Sequence, residues 1–132
     1  MTTASVGIVL VSHSAELAEG AAHLAAQVSG GTVTIVAAGG TDDGDLGTSA
    51  AKVERALRQA DRGAGVVVLP DLGSAVLTVR AVLEDYGSAG SVLLTDAPFV
   101  EGAVAATVIA AAGGDLKAVA TAAEEARHAR KL

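Results

Sequence analysis

Short apolar runs alternate along the chain with longer segments in which apolar residues recur every three or four positions. Runs of this kind, without polar alternation, predict strands that are covered on both faces, and the periodic segments predict amphipathic helices. The predicted strands are Val6–Val11, Thr32–Ala38, Gly65–Pro70 and Ser91–Thr95. The predicted helices cover about 14–28, 48–62 and 74–86, followed by an alanine-rich helix from about Glu101 and a last amphipathic helix toward Arg127.

The spacing of apolar residues within the first three helices also predicts which side of each helix faces the core. The predicted inward residues are Leu17, Ala21, Leu24 and Val28 in the first helix, Val53, Ala56, Leu57 and Ala60 in the second, and Val76, Val79, Leu83 and Tyr86 in the third.

Strand and helix alternate at the spacing of βαβ units, which predicts an α/β fold with helices on both faces of a parallel sheet. We expect a doubly wound, four-stranded parallel sheet in the order 2-1-3-4, formed by one domain over residues 1–132. In such sheets functional groups gather beyond the carboxyl ends of the strands, where the strand order reverses. The loops at that point carry His13 and Asp71, so the topology predicts that these residues are neighbours.

The composition excludes several classes of function. Of 132 residues, 51% are hydrophobic, the formal net charge is −6, and aromatic residues make up 2%, which argues against a nucleic-acid binder. The chain has no cysteine and therefore offers no thiol chemistry. The amino-terminal residues lack the pattern of a signal peptide, and the apolar stretch 103–112 is too short to span a bilayer, so we expect a cytoplasmic protein without membrane contact.

His13 is the leading candidate for chemistry because it lies between a buried strand and the start of a helix. Helix amino termini favour anions such as phosphate, and a neutral imidazole is a usable nucleophile near pH 7. Asp71 could simply cap the third helix. A carboxylate that accepts a hydrogen bond from Nδ1–H of His13 would instead fix the tautomer and leave Nε2 free to attack.

Four small residues around this pair are candidates for supporting a phosphoryl group. Gly73 would allow close backbone approach, and the hydroxyl of Ser74 with nearby backbone N–H groups could bind phosphoryl oxygens. Ser12 and Ser14 could also contribute, although serines at such positions more often cap helices.

The polar loop 39–47 is rich in glycine and aspartate but lacks the spacing of a P-loop or of a calcium-binding loop. A rim of the active site and a plain solvated connection are equally good interpretations of it. We expect no metal site.

Four segments, "IVLVSHS", "GTSAAKVERAL", "DLGSA" and "APFVEGAVAAT", resemble the mannose-type enzyme IIA domains of the bacterial phosphotransferase system. Within that family the chain is most similar to the phosphocarrier subunit of the phosphotransferase-dependent dihydroxyacetone kinase. The resemblance extends from Val6 to about Ala123. It implies that His13 matches the phosphorylated histidine and that Asp71 matches the aspartate paired with it.

The resemblance also implies the partners. The phosphocarrier protein HPr would phosphorylate His13, and the phosphohistidine would rephosphorylate ADP on a nucleotide-binding kinase subunit, while a third subunit holds dihydroxyacetone. The chain would bind neither ATP nor sugar stably. Sugar-transporter members usually have glycine after the histidine, where this chain has Ser14, which favours the kinase branch.

The hypothesis of a kinase phosphocarrier has three alternatives. A transporter domain that passes phosphate to enzyme IIB has the same chemistry and a different acceptor, and a non-catalytic binding module is a more distant alternative. A response-regulator receiver is excluded because it needs an acidic pair after the first strand, where this chain has Ser12, His13 and Ser14. The helix from Glu101 is apolar almost all the way round, which predicts a homodimer.

Overall fold

The computed structural model describes residues 4–87 and 91–132. Within these ranges strands and helices alternate in chain order up to the last strand, which is followed by two α-helices and by a 3-10 helix at Ala126–His128. The elements are β1 (Gly7–Ser12), α1 (Ala15–Ser29), β2 (Ile35–Gly39), α2 (Ala50–Ala60), β3 (Val66–Pro70), α3 (Gly73–Asp85), β4 (Val92–Leu94), α4 (Phe99–Ala111) and α5 (Leu116–Glu125).

The strands form a parallel sheet in the order β2-β1-β3-β4, which confirms the predicted fold class and strand order. The central strand β1 pairs with β2 on one side and with β3 on the other, and its register places Ser12 opposite Gly39 and Val11 opposite Pro70. The strand order therefore reverses between β1 and β3. The residues that follow these two strands, His13 and Asp71, leave the same edge of the sheet side by side.

Helices cover the sheet on both faces, which explains why the sequences of the central strands are continuous apolar runs. Alternate residues of β1 and β3 point to opposite faces. Ile8 and Leu10 pack with α1, α4 and α5, whereas Val9 and Val11 pack with α2 and α3.

The helix faces were predicted with mixed success. All four predicted inward residues of α2 are buried. Of those predicted for the third helix, Val79 in α3 and Tyr86 at its C-cap are buried, and Val76 and Leu83 are partly buried. In α1, Ala21 is buried as predicted, but the rest of the predicted face is wrong, because Leu17, Leu24 and Val28 are about half exposed. The small residues of α1 face the sheet instead, and those that are buried include Ala18, Ala21 and Ala25.

Close packing explains why the small residues of α1, rather than the large ones, face the sheet. A Cβ at Gly39 would lie 2.5 Å from the carbonyl oxygen of Ser14 and 2.8 Å from Cα of Ala15, so β2 and the start of α1 are in direct backbone contact. Larger side chains would hold this helix away from the sheet.

Several predicted boundaries shift, among them the starts of β2 and α4. The strand β2 begins at Ile35 rather than at Thr32, because Thr32 bonds through both its N–H and its hydroxyl to the carbonyl of Ser29 in a turn. The helix α4 begins at Phe99, directly after Pro98, rather than at Glu101. In the described part of the chain, no helix has the length and apolar character needed to cross a membrane.

Candidate active site

His13 lies in the two-residue connection between β1 and α1. The helix begins immediately after it because Ser14 is its N-cap, with a hydroxyl that accepts a hydrogen bond from the N–H of Leu17 at 3.2 Å. The carbonyl of His13 accepts a hydrogen bond from Gly47 at 2.8 Å. The backbone of His13 is thus held by β1, by the cap of α1 and by the loop that follows β2.

The side chain of Asp71 reaches His13 from the end of β3. Its Oδ1 lies 3.0 Å from Nδ1 of the imidazole, and its Oδ2 accepts the backbone N–H of His13 at 3.0 Å. The same carboxylate accepts the hydroxyl of Ser12 at 3.0 Å and the N–H of Leu72 at 2.7 Å. The expected contact between His13 and Asp71 is therefore present in the structure.

These hydrogen bonds determine the charge of Asp71. Burial by itself raises the pKa of this carboxyl, but the bonds from the backbone and ring of His13, from Ser12 and from Leu72 outweigh burial and hold the pKa below its usual range. Asp71 is therefore ionised at neutral pH. An ionised carboxylate can only accept hydrogen bonds, so Nδ1 of His13 carries the proton and Nε2 presents a lone pair.

The lone pair of Nε2 faces Ser74 in the first turn of α3. Oγ of Ser74 lies 2.7 Å from Nε2, and its hydroxyl donates to the unprotonated nitrogen. The imidazole is consequently held on both sides, by Asp71 at Nδ1 and by Ser74 at Nε2. The side chain of His13 is 26% exposed and that of Asp71 is 8% exposed, so the nucleophilic nitrogen is accessible while its carboxylate partner is shielded.

Not every predicted supporting residue adjoins Nε2. Ser12 is fully buried, donates to Asp71 and accepts the N–H of Ser14 at 3.0 Å, so its hydroxyl holds the carboxylate. The hydroxyl of Ser14 is used as the cap of α1. Gly73 is the first residue of α3, and no described atom lies within 4 Å of a Cβ built there. Of the four candidates, Ser74 alone contacts the imidazole.

The alternative role of Asp71, as the cap of α3, differs from what the structure contains. The N-cap of α3 is Leu72, which makes no side-chain cap hydrogen bond, and Asp71 bonds the N–H of Leu72 itself rather than an amide of the first helical turn. The carboxylate thus serves the His13 segment, with a local contact to its own neighbour in sequence.

The loop 40–49 forms one side of the site. Gly40 donates its N–H to the carbonyl of Ser12 at 3.1 Å, and Thr48 shares a hydrogen bond of 2.6 Å with Thr78 of α3. This favours the rim over the plain solvated connection as the interpretation of the loop. Among residues 4–87 and 91–132, no group of three or more His, Cys, Asp or Glu is placed to hold a metal ion.

An open groove of about 590 Å³ adjoins the other side of the site. Asp71, Leu72 and Gly73 line its end nearest to His13, and Val76, Leu83 and Leu94 contribute apolar walls. A partner protein can therefore approach Nε2 over the groove on one side and over the loop 40–49 on the other.

Sequence reasoning named Ser12 only as a support for the phosphoryl group and did not single out Leu72, so it missed the hydrogen bonds that orient Asp71. The hydroxyl of Ser12 and the N–H of Leu72 contact this carboxylate because parallel pairing places the ends of β1 and β3 side by side. The strand register could have identified both, since Val11 and Pro70 are paired and the next residues must meet.

Comparison with known proteins gives consistent matches. The family model EIIA-man, described as PTS system fructose IIA component, matches residues 7–120. The chain is 42% identical over 131 residues to the PEP-dependent dihydroxyacetone kinase phosphoryl donor subunit DhaM of Pantoea ananatis, covering 96% of this chain and 28% of that protein. The chain thus spans little more than a quarter of the length of that relative.

Shorter relatives match over most of their length. The phosphoryl donor subunit DhaM of PEP-dependent dihydroxyacetone kinase 2 from Listeria innocua is 37% identical over 105 residues, which cover 78% of this chain and 84% of that protein. A crystal structure of a protein described as of unknown function superposes with a TM-score of 0.82 at 32% identity, covering 92% of this chain and 94% of that one. The two relatives named above are DhaM phosphoryl donor subunits, and the chain therefore belongs to the EIIA-man family of phosphotransferase system components.

Proposed function

We propose that the protein is a phosphohistidine carrier that takes a phosphoryl group from HPr onto Nε2 of His13 and passes it to ADP on the nucleotide-binding subunit of dihydroxyacetone kinase. The observation that carries the proposal is the arrangement around the imidazole. Nδ1 lies 3.0 Å from Oδ1 of Asp71, which favours the tautomer with the proton on Nδ1 and the lone pair on Nε2, and the side chain of His13 is partly exposed. The DhaM relatives supply the class of acceptor.

In the first transfer, the lone pair of Nε2 attacks the phosphorus of the donor's phosphohistidine. The bond between phosphorus and the donor nitrogen breaks, and its electron pair returns to that nitrogen. The ring of His13 keeps its proton on Nδ1 and becomes a cation, which the carboxylate of Asp71 stabilises at 3.0 Å. The hydroxyl of Ser74 must leave Nε2 as the new bond forms, and it then lies beside the phosphoryl oxygens, to which it can donate.

In the second transfer, an oxygen of the terminal phosphate of ADP attacks the phosphoryl group on His13. The bond between phosphorus and Nε2 breaks, its electron pair returns to Nε2, and the product is ATP on the kinase subunit. Asp71 keeps Nδ1 protonated throughout, so the ring leaves as the neutral tautomer that is ready for the next cycle. No tightly bound cofactor is needed, because the phosphoryl group itself is the cargo.

The test is phosphorylation by phosphorylated HPr, followed by mapping of the acid-labile label and by addition of the kinase subunits with dihydroxyacetone. We expect a single label on His13 and none in the His13→Ala variant. A label on His23, His128 or Asp71 contradicts the site. Labelling of His13 without transfer to the kinase subunits, but with transfer to an enzyme IIB, would support a transporter component instead.

We also propose a cellular location and an oligomeric state for the protein. We propose that it works in the bacterial cytoplasm, where HPr is found, and that it is a homodimer. The dimer would bury an apolar surface formed by α1 and α4, which pack against each other on one face of the sheet. We call this the α1/α4 surface, and its exposed apolar residues are Leu17, Leu24, Val28, Val100 and Val108.

A further inference from the structure

We propose that the loop between β2 and α2 is the docking element for the phosphoryl donor protein, and that the donor's contact surface is apolar with basic side chains beside it. This inference rests on the proposed function, because it assigns a partner to the same site. The contact residues are Leu46 and Leu72 with Asp43 and Asp45, which together we call the docking rim.

The two leucines of the docking rim are strongly exposed on either side of His13. Leu46 is 80% exposed and Leu72 is 61% exposed. Leu46 precedes Gly47, whose N–H is bonded to the carbonyl of His13, and Leu72 follows Asp71, whose carboxylate is bonded to the imidazole. A protein that brings a phosphoryl group to Nε2 must contact the surface between these two leucines. Apolar contacts near the centre of an interface contribute most to binding.

The loop that carries Leu46 is ordered before any partner binds. Thr41 accepts the N–H of Asp45 on its hydroxyl at 3.0 Å and donates its own N–H to the carbonyl of Asp45 at 2.9 Å. Asp42 accepts a hydrogen bond from the hydroxyl of Ser49, the N-cap of α2. Because the loop is held by these bonds, docking on Leu46 does not require the loop to lose conformational freedom.

The charges of the docking rim select the type of partner. The side chains of Asp43 and Asp45 are exposed and form no hydrogen bond or ion pair with any residue in the described ranges, unlike that of Asp42. Two uncompensated carboxylates beside an exposed leucine complement a partner that has lysine or arginine next to an apolar contact. The docking rim therefore fits a donor protein that presents such an apolar and basic surface.

The first experiment separates docking from chemistry. The rate of His13 phosphorylation is measured with phosphorylated HPr and, in parallel, with phosphoramidate, a small phosphoryl donor that needs no protein contact. In Leu46→Ser we expect the ratio of the HPr rate to the phosphoramidate rate, below saturation, to fall about tenfold, as for loss of a central apolar contact. Leu77→Ser is the matched control, because Leu77 is 67% exposed on α3 and lies outside the docking rim.

The second experiment tests the charge of the partner. Reversal of both free carboxylates, in Asp43→Lys/Asp45→Lys, keeps the backbone bonds of the loop and should slow association with phosphorylated HPr. The salt dependence of the association rate should be weaker in this variant than in the wild type, or opposite in sign. Charges at the edge of an interface act mainly on the association rate.

Each outcome decides between the docking role and another role of the loop. If wild-type protein is not labelled by phosphorylated HPr, the proposed function fails. If the wild type is labelled and Leu46→Ser matches Leu77→Ser with both donors, the docking role alone is overturned. An equal loss with both donors would mean that the loop holds His13 in place. Loss of dimerisation in Leu46→Ser would make the loop a contact between two copies of this chain. An equal loss with both donors, or a loss of dimerisation, would also overturn the docking role.

Discussion

At the scale of single residues, the proposed chemistry depends on one carboxylate that accepts hydrogen bonds from several donors at once. Asp71 accepts two hydrogen bonds on each oxygen, from the ring of His13 and Leu72 on Oδ1 and from Ser12 and the backbone of His13 on Oδ2. A carboxamide cannot replace it, because one of its two terminal atoms is a donor and would face donors in either orientation.

The first prediction concerns Asp71→Asn. If the amide NH₂ faces the ring, Nδ1 must become the acceptor and the proton moves to Nε2, which removes the attacking lone pair. If it faces Ser12 and the backbone of His13, donors oppose one another and the segment shifts. We expect transfer from phosphorylated HPr to slow on the order of 10²–10⁴-fold, in the range of losses measured for positioned acid–base partners. Rapid-quench kinetics would measure the rate, and a rate near that of the wild type would contradict the orienting role.

The second prediction concerns acid stability. The folded protein holds the pKa of Asp71 below its usual range, so on acidification the unfolded chain binds this proton first. The stability that ionised Asp71 contributes is complete above an ordinary aspartate pKa of about 3.9 and is lost as the pH falls through the lower pKa of the folded state. In urea unfolding followed from pH 7 to pH 2.5, the wild type should lose its advantage over Asp71→Asn below about pH 4. A constant difference across this range would show that the carboxylate charge contributes nothing to stability.

At the scale of elements, hydrophobic periodicity predicted the type and order of every strand and helix that positions the site. It also predicted that His13 and Asp71 are close to each other, because their proximity depends on strand order alone. It failed on the inner face of α1, since a pattern of large apolar residues does not distinguish a side chain packed on the sheet from one exposed on the surface. The contact of Ser74 with Nε2 depends on the exact position of the α3 amino terminus, which periodicity does not resolve.

The third prediction tests the close contact between β2 and α1. A methyl group in Gly39→Ala would lie 2.5 Å from the carbonyl oxygen of Ser14, so the start of α1 must move. We expect a loss of about 1–3 kcal/mol in the free energy of unfolding, typical of overpacking in a tight core, together with slower phosphorylation of His13. Chemical denaturation and the HPr transfer assay would measure the two effects.

The control for this substitution lies in the same helix. Gly20 is exposed in α1, and a Cβ built there meets no atom within 4 Å. Gly20→Ala should therefore stabilise the protein by about 0.5–1 kcal/mol through helix propensity and leave transfer unchanged. Equal stability changes in both variants would show that the contact at Gly39 is relaxed in solution.

At the scale of the whole molecule, most of the large apolar side chains that are exposed lie in two regions, with Leu77, Leu93 and Leu132 outside both. Leu46 and Leu72 flank His13 at the carboxyl edge of the sheet, where a phosphocarrier meets its partners. The α1/α4 surface extends along the helices instead, from the first turns of α1 and α4 toward their carboxyl ends. The two regions therefore suit different occupants, a transient partner at the edge and a permanent one along the helices.

The α1/α4 surface has the pattern of a helix–helix interface. Leu17, Leu24 and Val28 lie at i, i+7 and i+11 on one side of α1, and Val100 and Val108 are separated by eight residues on α4. Exposed apolar side chains along two helices that pack against each other are a feature that marks association. Because a stable dimer buries roughly 800 Å² on each partner, two copies of a surface formed by both helices could supply it.

The last prediction follows from this surface. A cation at its centre, in Leu24→Arg, would be buried without a partner in a dimer and remain solvated in a monomer, so the substitution should shift the protein to the monomer. Leu24 is about half exposed in the single chain, and the fold should tolerate the change, as the unfolding temperature of the variant would verify. Sedimentation velocity at micromolar concentration should show a dimer for the wild type and for Leu77→Arg, whose substituted position lies outside the surface, and a monomer for Leu24→Arg. A wild-type monomer would disprove the dimer, and a dimeric Leu24→Arg would move the interface to another face of the molecule.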